Sequence, residues 1–135
     1  VELAHSEGFA VMLHTNGDRA ANAAMDAKGE SIEHGAFFSR ETLLRIAKTR
    51  TLWVPTLSTV GNLRGKGRFS EADAEKILES ALANVARFHA IGGLLAPGTD
   101  AGAWSVPHGS GTEEALLAKA GVTDEMLAPG VATIS

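Results

Sequence analysis

The sequence predicts an α/β protein whose strands form a parallel sheet, and two observations support this class. Short apolar segments that end in polar turns alternate along the chain with longer segments whose apolar residues have helical spacing. The order strand then helix recurs four times in 135 residues. Repeated βα units form either an open, doubly wound sheet or part of a (β/α)8 TIM-type barrel. In both folds ligands bind at the carboxyl ends of the strands.

Four segments are expected to form the strands. "FAVMLH" is apolar and runs into the polar turn "TNGD", as buried parallel strands do. "ESIEHG" is short and polar, but it lies between two helical segments. "TLWVPTLS" is rich in β-branched and apolar residues, and "GLLAPGTD" joins an apolar run to a glycine turn. These segments cover residues 9–14, 30–35, 51–58 and 93–100.

Each strand is followed by a segment that is expected to be helical. Asp18 favours a helix amino terminus, Ser39 is a cap for the next helix, and Thr112 is a cap for the last. The longest segment has apolar residues at a three-four spacing, which indicates an amphipathic helix. The helical segments start near residues 18, 39, 70 and 111. The polar connection 62–70, "NLRGKGRFS", is expected to be a lid or a disordered loop.

Composition limits the class of protein and its partners. An apolar content of 44% and a charged content of 21% are typical of one soluble globular domain. The net charge is -4, and Lys and Arg are scattered singly, so nucleic acid is not an expected partner. No apolar run approaches the roughly 18 residues of a membrane span, and no signal peptide is recognisable. A chain without cysteine is expected in the cytoplasm, and it binds any metal through His, Asp or Glu.

Three chemistry-bearing side chains stand at the ends of the expected strands. His14 ends the first strand, His34 the second and Asp100 the fourth. The carboxyl ends of parallel strands meet at one edge of the sheet, so these side chains are expected to converge. A carboxylate at the mouth of an apolar strand also needs a cation or a donor, since an unpaired charge is costly there. Two imidazoles and a carboxylate suit a divalent metal, zinc first, with manganese or iron as alternatives.

The motifs that carry these residues resemble a known family. "VMLHTNGDRA", "SIEHG", "WVPTL" and "LLAPGTDAG", followed by "PHG", are similar in order and spacing to the second half of the metal-dependent amidohydrolase superfamily. The similarity is greatest to its imidazolonepropionase-like and prolidase-like branch, and it covers nearly the whole chain. It implies that residues 1–135 are a single partial catalytic domain with strands five to eight of the barrel.

The resemblance also implies roles for individual residues. His14 and His34 correspond to metal ligands that end the fifth and sixth strands of the family's barrel. Asp100 corresponds to the aspartate after the eighth strand, which binds metal and takes a proton from the attacking water. The reaction implied is hydrolysis of a carbon-nitrogen bond in a small-molecule amide, cyclic amide or peptide-like substrate. His108, in the loop after the fourth strand, is expected to contact this substrate.

Other parts of the family's pattern have no counterpart in this sequence. The family's His-x-His pair on strand one is absent, and a whole barrel needs about 250 residues. The chain also begins with Val1 rather than Met, as expected of a piece of a longer protein. A half-barrel exposes sheet edges and an apolar inner face. We therefore expect a homo-oligomer, or association with the missing half of the barrel.

Alternatives and supporting residues complete the sequence-based predictions. "APGTDAG" could bind a phosphate through backbone N–H groups, but an aspartate is unfavourable in an anion site and the two histidines stay unexplained. An inactive half-barrel, serving as a structural or interaction module, is the second alternative. Strand alternation turns Glu33 away from the side of His34, so Glu33 is expected to provide packing or support. Trp53 and Trp104 are expected in the core or at the pocket wall.

Overall fold

The computed structural model describes residues 1–102 and 106–133 and has an α/β architecture. Three strands form a parallel sheet in the order β1-β2-β3. In register, His14 lies beside Glu33 and Thr15 beside His34. The strands are β1 Met12–Thr15, β2 Ser31–His34 and β3 Leu52–Val54.

Seven helices occur within the described residues, and the four predicted helices are among them. The predicted cap at Ser39 is confirmed, because its side chain accepts a hydrogen bond from the backbone N–H of Thr42 at 3.2 Å. The cap of α6 differs from the prediction: Gly111 occupies that position, and Thr112 is the first helical residue. Helices α1, α4 and α7 were not predicted. The helices are α1 Glu2–Ser6, α2 Asp18–Asp26, α3 Arg40–Thr49, α4 Leu57–Gly61, α5 Glu71–Ala90, α6 Thr112–Lys119 and α7 Asp124–Val131. Within the described ranges, none is long and apolar enough to cross a membrane.

The predicted fourth strand is reduced to one parallel bridge. Leu95 pairs with Trp53. The N–H of Trp53 donates to the Leu94 carbonyl at 2.9 Å, and the N–H of Ala96 donates to the Trp53 carbonyl at 3.1 Å. The next residue is Pro97, which has no N–H with which to continue a ladder. The α/β class and the parallel sheet are therefore confirmed, whereas the last segment stays too short to be a full strand.

Helices α2, α3 and α5 pack on one face of the sheet, and we call them the helical layer. Ile32 and Trp53 project from the sheet into this layer and are almost completely buried. Burying one large apolar side chain contributes about 1.5–3 kcal/mol, so this interface contributes substantially to stability. The layer contributes the buried side chains Ala21, Ala24, Met25, Leu43, Ile46, Leu78, Ala81, Val85 and Phe88.

The opposite face of the sheet, here called the inner face, has a much smaller core. Leu52, Leu94 and Ala96 form a separate buried cluster there, with Val54 packed against it. Met12 begins β1 and is 74% exposed. A groove of about 770 Å³ lies at the amino-terminal ends of the strands, with Met12 and Leu52 among its lining residues. The inner face therefore presents apolar surface that the described residues leave uncovered.

The connection predicted as a lid or a disordered loop consists of turns and bends attached to α5. The Arg64 guanidinium is 3.1 Å from the Glu75 carboxylate. The N–H of Gly65 donates to the Glu71 carboxylate at 2.8 Å. These contacts hold the connection against the start of α5, next to the carboxyl ends of the strands.

Candidate functional site

His14, His34 and Asp100 line one cleft of about 400 Å³ at the carboxyl ends of the strands. The centroids of the two imidazole rings are 4.4 Å apart, and the rings meet edge to face. The structure thus brings together the three residues that the sequence predicted to converge. Polar side chains that share the lining are Asn16, Thr56, Thr59 and Arg68, and the apolar ones are Ala36, Phe37, Val60, Leu63, Phe69 and Ile77.

Two hydrogen bonds hold His34, the last residue of β2. Its Nδ1 is 2.7 Å from the hydroxyl of Thr56. Its backbone carbonyl accepts a hydrogen bond from the indole N–H of Trp53 at 2.6 Å. The Thr56 contact engages one ring nitrogen and leaves Nε2 as the nitrogen available to a ligand. Trp53, which is 1% exposed, therefore belongs to the core and also supports the site.

The surroundings of His34 favour its neutral form. Burial lowers the pKa of His34, and the neighbouring His14 lowers it further, while Asp100 acts in the opposite direction. A neutral imidazole is the form that binds a metal ion. His34 is therefore suited to act as a ligand near neutral pH.

Asp100 is exposed at the mouth of the cleft, and helix α4 holds the backbone beside it. The hydroxyl of Ser58 donates to the carbonyl of Thr99 at 2.9 Å. The hydroxyl of Thr59 donates a long hydrogen bond of 3.5 Å to the Asp100 carboxylate. Just before Asp100, a Cβ added to Gly98 would lie 2.3 Å from Cγ1 of Val54, so only glycine fits where the chain passes β3.

Three residues of the site have a left-handed backbone. The φ angles are 71° at His34, 47° at Thr56 and 52° at Asp100. His and Asp are enriched in this conformation, but a β-branched threonine there is a true outlier. Each such residue costs about 1–3 kcal/mol and persists only where its surroundings enforce it, which happens mostly at functional sites. We call His14, His34, Thr56 and Asp100 the strand-end cluster.

Thr56 was missed at the sequence level. It lies inside the third predicted segment, 51–58, and two residues beyond the end of β3. The strand-end rule that selected the histidines does not select Thr56, because this residue neither ends the predicted segment nor belongs to β3. Its contact with His34 identifies it as a member of the site.

Glu33 lies on the inner face next to the site. It is the register partner of His14 and therefore shares the inner face with it. Its carboxylate accepts a hydrogen bond of 2.6 Å from the hydroxyl of Ser31. Burial raises the pKa of Glu33, as does the negative charge of Asp100, while the Ser31 contact lowers it. The role of Glu33 in packing or support stays a prediction, while the left-handed backbone of His34 interrupts the two-residue period and lets its ring meet that of His14.

His108 lies apart from the other predicted site residues. It is exposed in a turn, beside Gly102, and is not among the described residues that line the cleft. Its contact with substrate stays a prediction. Trp104 lies outside the described residues.

Three solved structures with which the chain aligns are hydrolases. No family model and no curated protein sequence matches it. A Xaa-Pro dipeptidase with methionine bound in its active site has a TM-score of 0.75 at 25% identity over 90% of this chain. The A. niger ochratoxinase has a TM-score of 0.74 at 24% identity over 90% of the chain, and an amidohydrolase has 0.72 at 22% over 98%. The chain therefore shares the fold of part of each of these hydrolases. It spans 31%, 28% and 35% of these three structures, respectively.

The strand-end cluster fits part of a divalent metal site. Two imidazoles in contact, one of them favoured in its neutral form, are suitable ligands for such an ion. Within residues 1–102 and 106–133, however, no group of three His, Asp or Glu side chains is arranged to hold a metal. The cluster therefore supplies a partial ligand set rather than a complete one.

Proposed function

We propose that this chain belongs to a metal-dependent amidohydrolase that cleaves a carbon-nitrogen bond of a small-molecule amide, cyclic amide or peptide-like substrate. The observation that carries the proposal is the cleft shared by His14, His34 and Asp100 at the carboxyl ends of parallel strands, in an amidohydrolase fold. We further propose that residues 1–135 form one partial catalytic domain, with strands five to eight of a (β/α)8 barrel. In this arrangement residues 94–96 would correspond to the eighth strand of the barrel.

His14 and His34 would hold the ion, with zinc preferred over manganese or iron. Zinc is supported by the two nitrogen donors, because imidazole is a common zinc ligand. The Thr56 hydroxyl fixes the ring of His34, and such outer contacts orient metal ligands. The bound ion supplies Lewis-acid polarisation of the substrate carbonyl. Further ligands would come from parts of the site beyond the described residues.

Asp100 would move the proton during hydrolysis. The oxygen of water attacks the carbonyl carbon, and the Asp100 carboxylate accepts the proton that the water loses. When the carbon-nitrogen bond breaks, Asp100 returns this proton to the leaving nitrogen. Its exposed position at the mouth of the cleft leaves the carboxylate accessible to both groups, and Thr59 restrains it.

We also propose that the inner face associates with further barrel elements, supplied either by a second copy or by the missing half of the barrel. The side chain of Met12 supports this, since it is 74% exposed. Light scattering over a range of concentrations tests association with a second copy. We expect a measured mass above that of one chain. Met12→Ser should then weaken association, whereas Leu44→Ser, a change on the outside of α3, should leave it unaltered.

Metal content tests the central proposal. The purified chain is loaded with zinc and dialysed, and zinc is then measured by elemental mass spectrometry. We expect the wild type to retain about one equivalent and His14→Ala or His34→Ala to lose it. His108→Ala is the matched control, because its imidazole lies outside the cleft lining, and it should retain zinc. Equal zinc in the wild type and both cluster variants would contradict the assignment.

Activity tests the reaction class separately. The zinc-loaded chain is incubated with dipeptides, N-acyl amino acids and cyclic amides, and the release of free amine is measured. Asp100→Asn should abolish any release, because an amide cannot accept the proton. If His108 contacts substrate, His108→Ala should raise KM more than it lowers kcat. Release that survives Asp100→Asn would show that another group carries the proton.

A further inference from the structure

A buried carboxylate outside the cleft has no role in the chemistry proposed above. Glu113, the second residue of α6, is 0% exposed. Its Oε2 accepts a hydrogen bond from the backbone N–H of Ser58 at 2.6 Å. Its Oε1 is buried without a hydrogen-bond partner. Burial raises the pKa of Glu113, and the N–H groups of Ser58 and Leu57 partly offset this effect.

A buried carboxylate lowers the stability of the fold unless it satisfies hydrogen-bond donors that would otherwise be unpaired. Removing a carboxylate from water costs several kcal/mol, and one hydrogen bond returns only part of that. Such donors occur in α4, a helix of five residues whose first N–H groups have no intrahelical partner. Glu113 accepts from this end of α4, where the Thr56 side chain makes no capping bond. A helix this short depends on tertiary contacts to persist, and α6 provides them.

Helix α4 and its first flanking residue are connected to both sides of the cleft. The Thr56 hydroxyl contacts Nδ1 of His34 at 2.7 Å. The Ser58 hydroxyl donates to the carbonyl of Thr99, and the Thr59 hydroxyl reaches the Asp100 carboxylate. Three hydroxyls within four residues thus contact the second strand end on one side and the segment before α6 on the other.

We propose that Glu113 is a positioning residue: by anchoring the amino terminus of α4 it holds the hydroxyls that orient His34 and Asp100. The importance of this orientation for catalysis rests on the proposed function, but the orientation itself is a property of the chain. Glu113 touches neither substrate nor metal. Its effect passes through α4, and Thr56 is the last link before the imidazole.

The tautomer of His34 measures this effect directly. In ¹⁵N-labelled, metal-free protein, at a pH well above the ordinary imidazole pKa, nitrogen shifts distinguish the two neutral tautomers. We expect one tautomer to predominate in the wild type while the Thr56 hydroxyl stays 2.7 Å from Nδ1, whether it donates to this nitrogen or accepts from it. Glu113→Leu has similar volume and no acceptor, and it should produce a mixture of both tautomers. Glu113→Gln keeps an oxygen for the Ser58 N–H and should preserve the single tautomer.

Control variants separate positioning from folding. Glu114→Leu makes the same change at the next, exposed residue of α6 and should leave the tautomer unaltered. Glu113→Met is a second apolar replacement in case the leucine variant does not fold, since the unbranched methionine side chain adapts to irregular spaces. Thr56→Gly removes the last link and relieves the left-handed backbone, so it should give the mixture in a folded protein. A single tautomer in folded Glu113→Leu or Glu113→Met would overturn the proposal.

Zinc affinity provides the second readout and distinguishes the two proposals. We expect Glu113→Leu to bind zinc about 10–100-fold more weakly than the wild type, the range for loss of an outer-shell partner, and Glu114→Leu to bind normally. If the wild type binds no zinc but Glu113→Leu still mixes the tautomers, the metal site fails and the positioning role stands. If zinc binds and neither affinity nor tautomer responds to Glu113→Leu, the positioning role fails and the metal site stands.

Discussion

The helical layer and the strand-end cluster differ in how their residues are stabilised. Ile32 and Trp53, which project from the sheet into the layer, are buried among apolar side chains, and neither has a left-handed backbone. In the cluster, His34, Thr56 and Asp100 all have positive φ. The backbone strain of these three residues must be offset by favourable packing in other parts of the molecule.

The comparison indicates a division of labour within one small fold. Apolar burial against the layer stabilises the fold. The cluster lowers this stability, because its polar groups are held in strained positions. Substitutions of buried apolar residues in this interface should therefore lower the stability of the protein. Substitutions in the cluster should alter ligand binding with little loss of stability, or even with a gain.

The largest effect on stability is expected from Trp53→Ala, because this side chain packs against the layer. The indole packs against Phe38 and Phe88, with ring centroids 5.5 Å and 5.2 Å away. Its loss should lower the free energy of unfolding by about 3–5 kcal/mol in urea titrations. Leu44→Ala, an exposed position of α3, should cost only about 0.5 kcal/mol. Similar losses in the two variants would contradict the importance of the layer.

A smaller effect is expected from Gly98→Ala, beside the cluster. The added methyl group would overlap Val54, whose branched side chain cannot rotate out of the way easily. Overpacking of this kind costs about 1–3 kcal/mol. Val54→Ala should relieve the clash, so the double variant should be more stable than the sum of the single changes predicts. If the stability losses of the two single variants simply add in the double variant, contact with Val54 is not the cause of the loss in Gly98→Ala.

The pH dependence of stability should change in Glu113→Gln. The folded-state pKa of Glu113 is raised above its unfolded value, so the folded state holds the proton more tightly. The contribution of this group is therefore most favourable below the unfolded pKa, and it is lost as pH rises through the folded pKa. Glutamine removes this loss, so the variant should gain stability relative to the wild type as pH rises. A constant difference between the two proteins across acidic and neutral pH would contradict the raised pKa.

The smallest effect is expected from Asp18→Asn, at the start of α2. The pH dependence of its contribution to stability is opposite to that of Glu113. The Asp18 carboxylate accepts the N–H of Ser39 at 2.8 Å and connects α2 to the start of α3. This backbone hydrogen bond lowers the pKa of Asp18, so its contribution is present above the unfolded pKa and disappears as pH falls through the folded pKa. The variant should lose about 0.3–1 kcal/mol at neutral pH and nothing in strong acid. Glu41→Gln, at the first turn of α3, serves as the control.

The sequence predicted most of the fold, because apolar periodicity is a local property. Three strands and four helices lie where their patterns place them. The fourth strand is reduced to a single bridge because Pro97, which lies inside the predicted segment, has no N–H with which to continue the ladder. Helix α4 was missed because its five residues are too few to show a period.

The candidate site was predictable only in part. His14, His34 and Asp100 were found because the geometry of parallel sheets brings strand ends together. Glu113 was not found, since an acidic residue at the start of a helix ordinarily faces solvent and stabilises the helix dipole. Its burial depends on how α6 meets α4, which no local pattern encodes.

The indole of Trp53 donates to the carbonyl of a residue in the cluster, and this bond has a consequence for mutational tolerance. Phe38 and Phe88 contribute only packing, so a saturation library should accept other large apolar side chains at both positions. At position 53 phenylalanine fills most of the space but lacks the N–H donor that meets His34. A screen that scores abundance and zinc retention separately should therefore find Trp53→Phe abundant but poor in zinc. Position 53 would then be constrained by two independent selections, one for folding and one for the metal site.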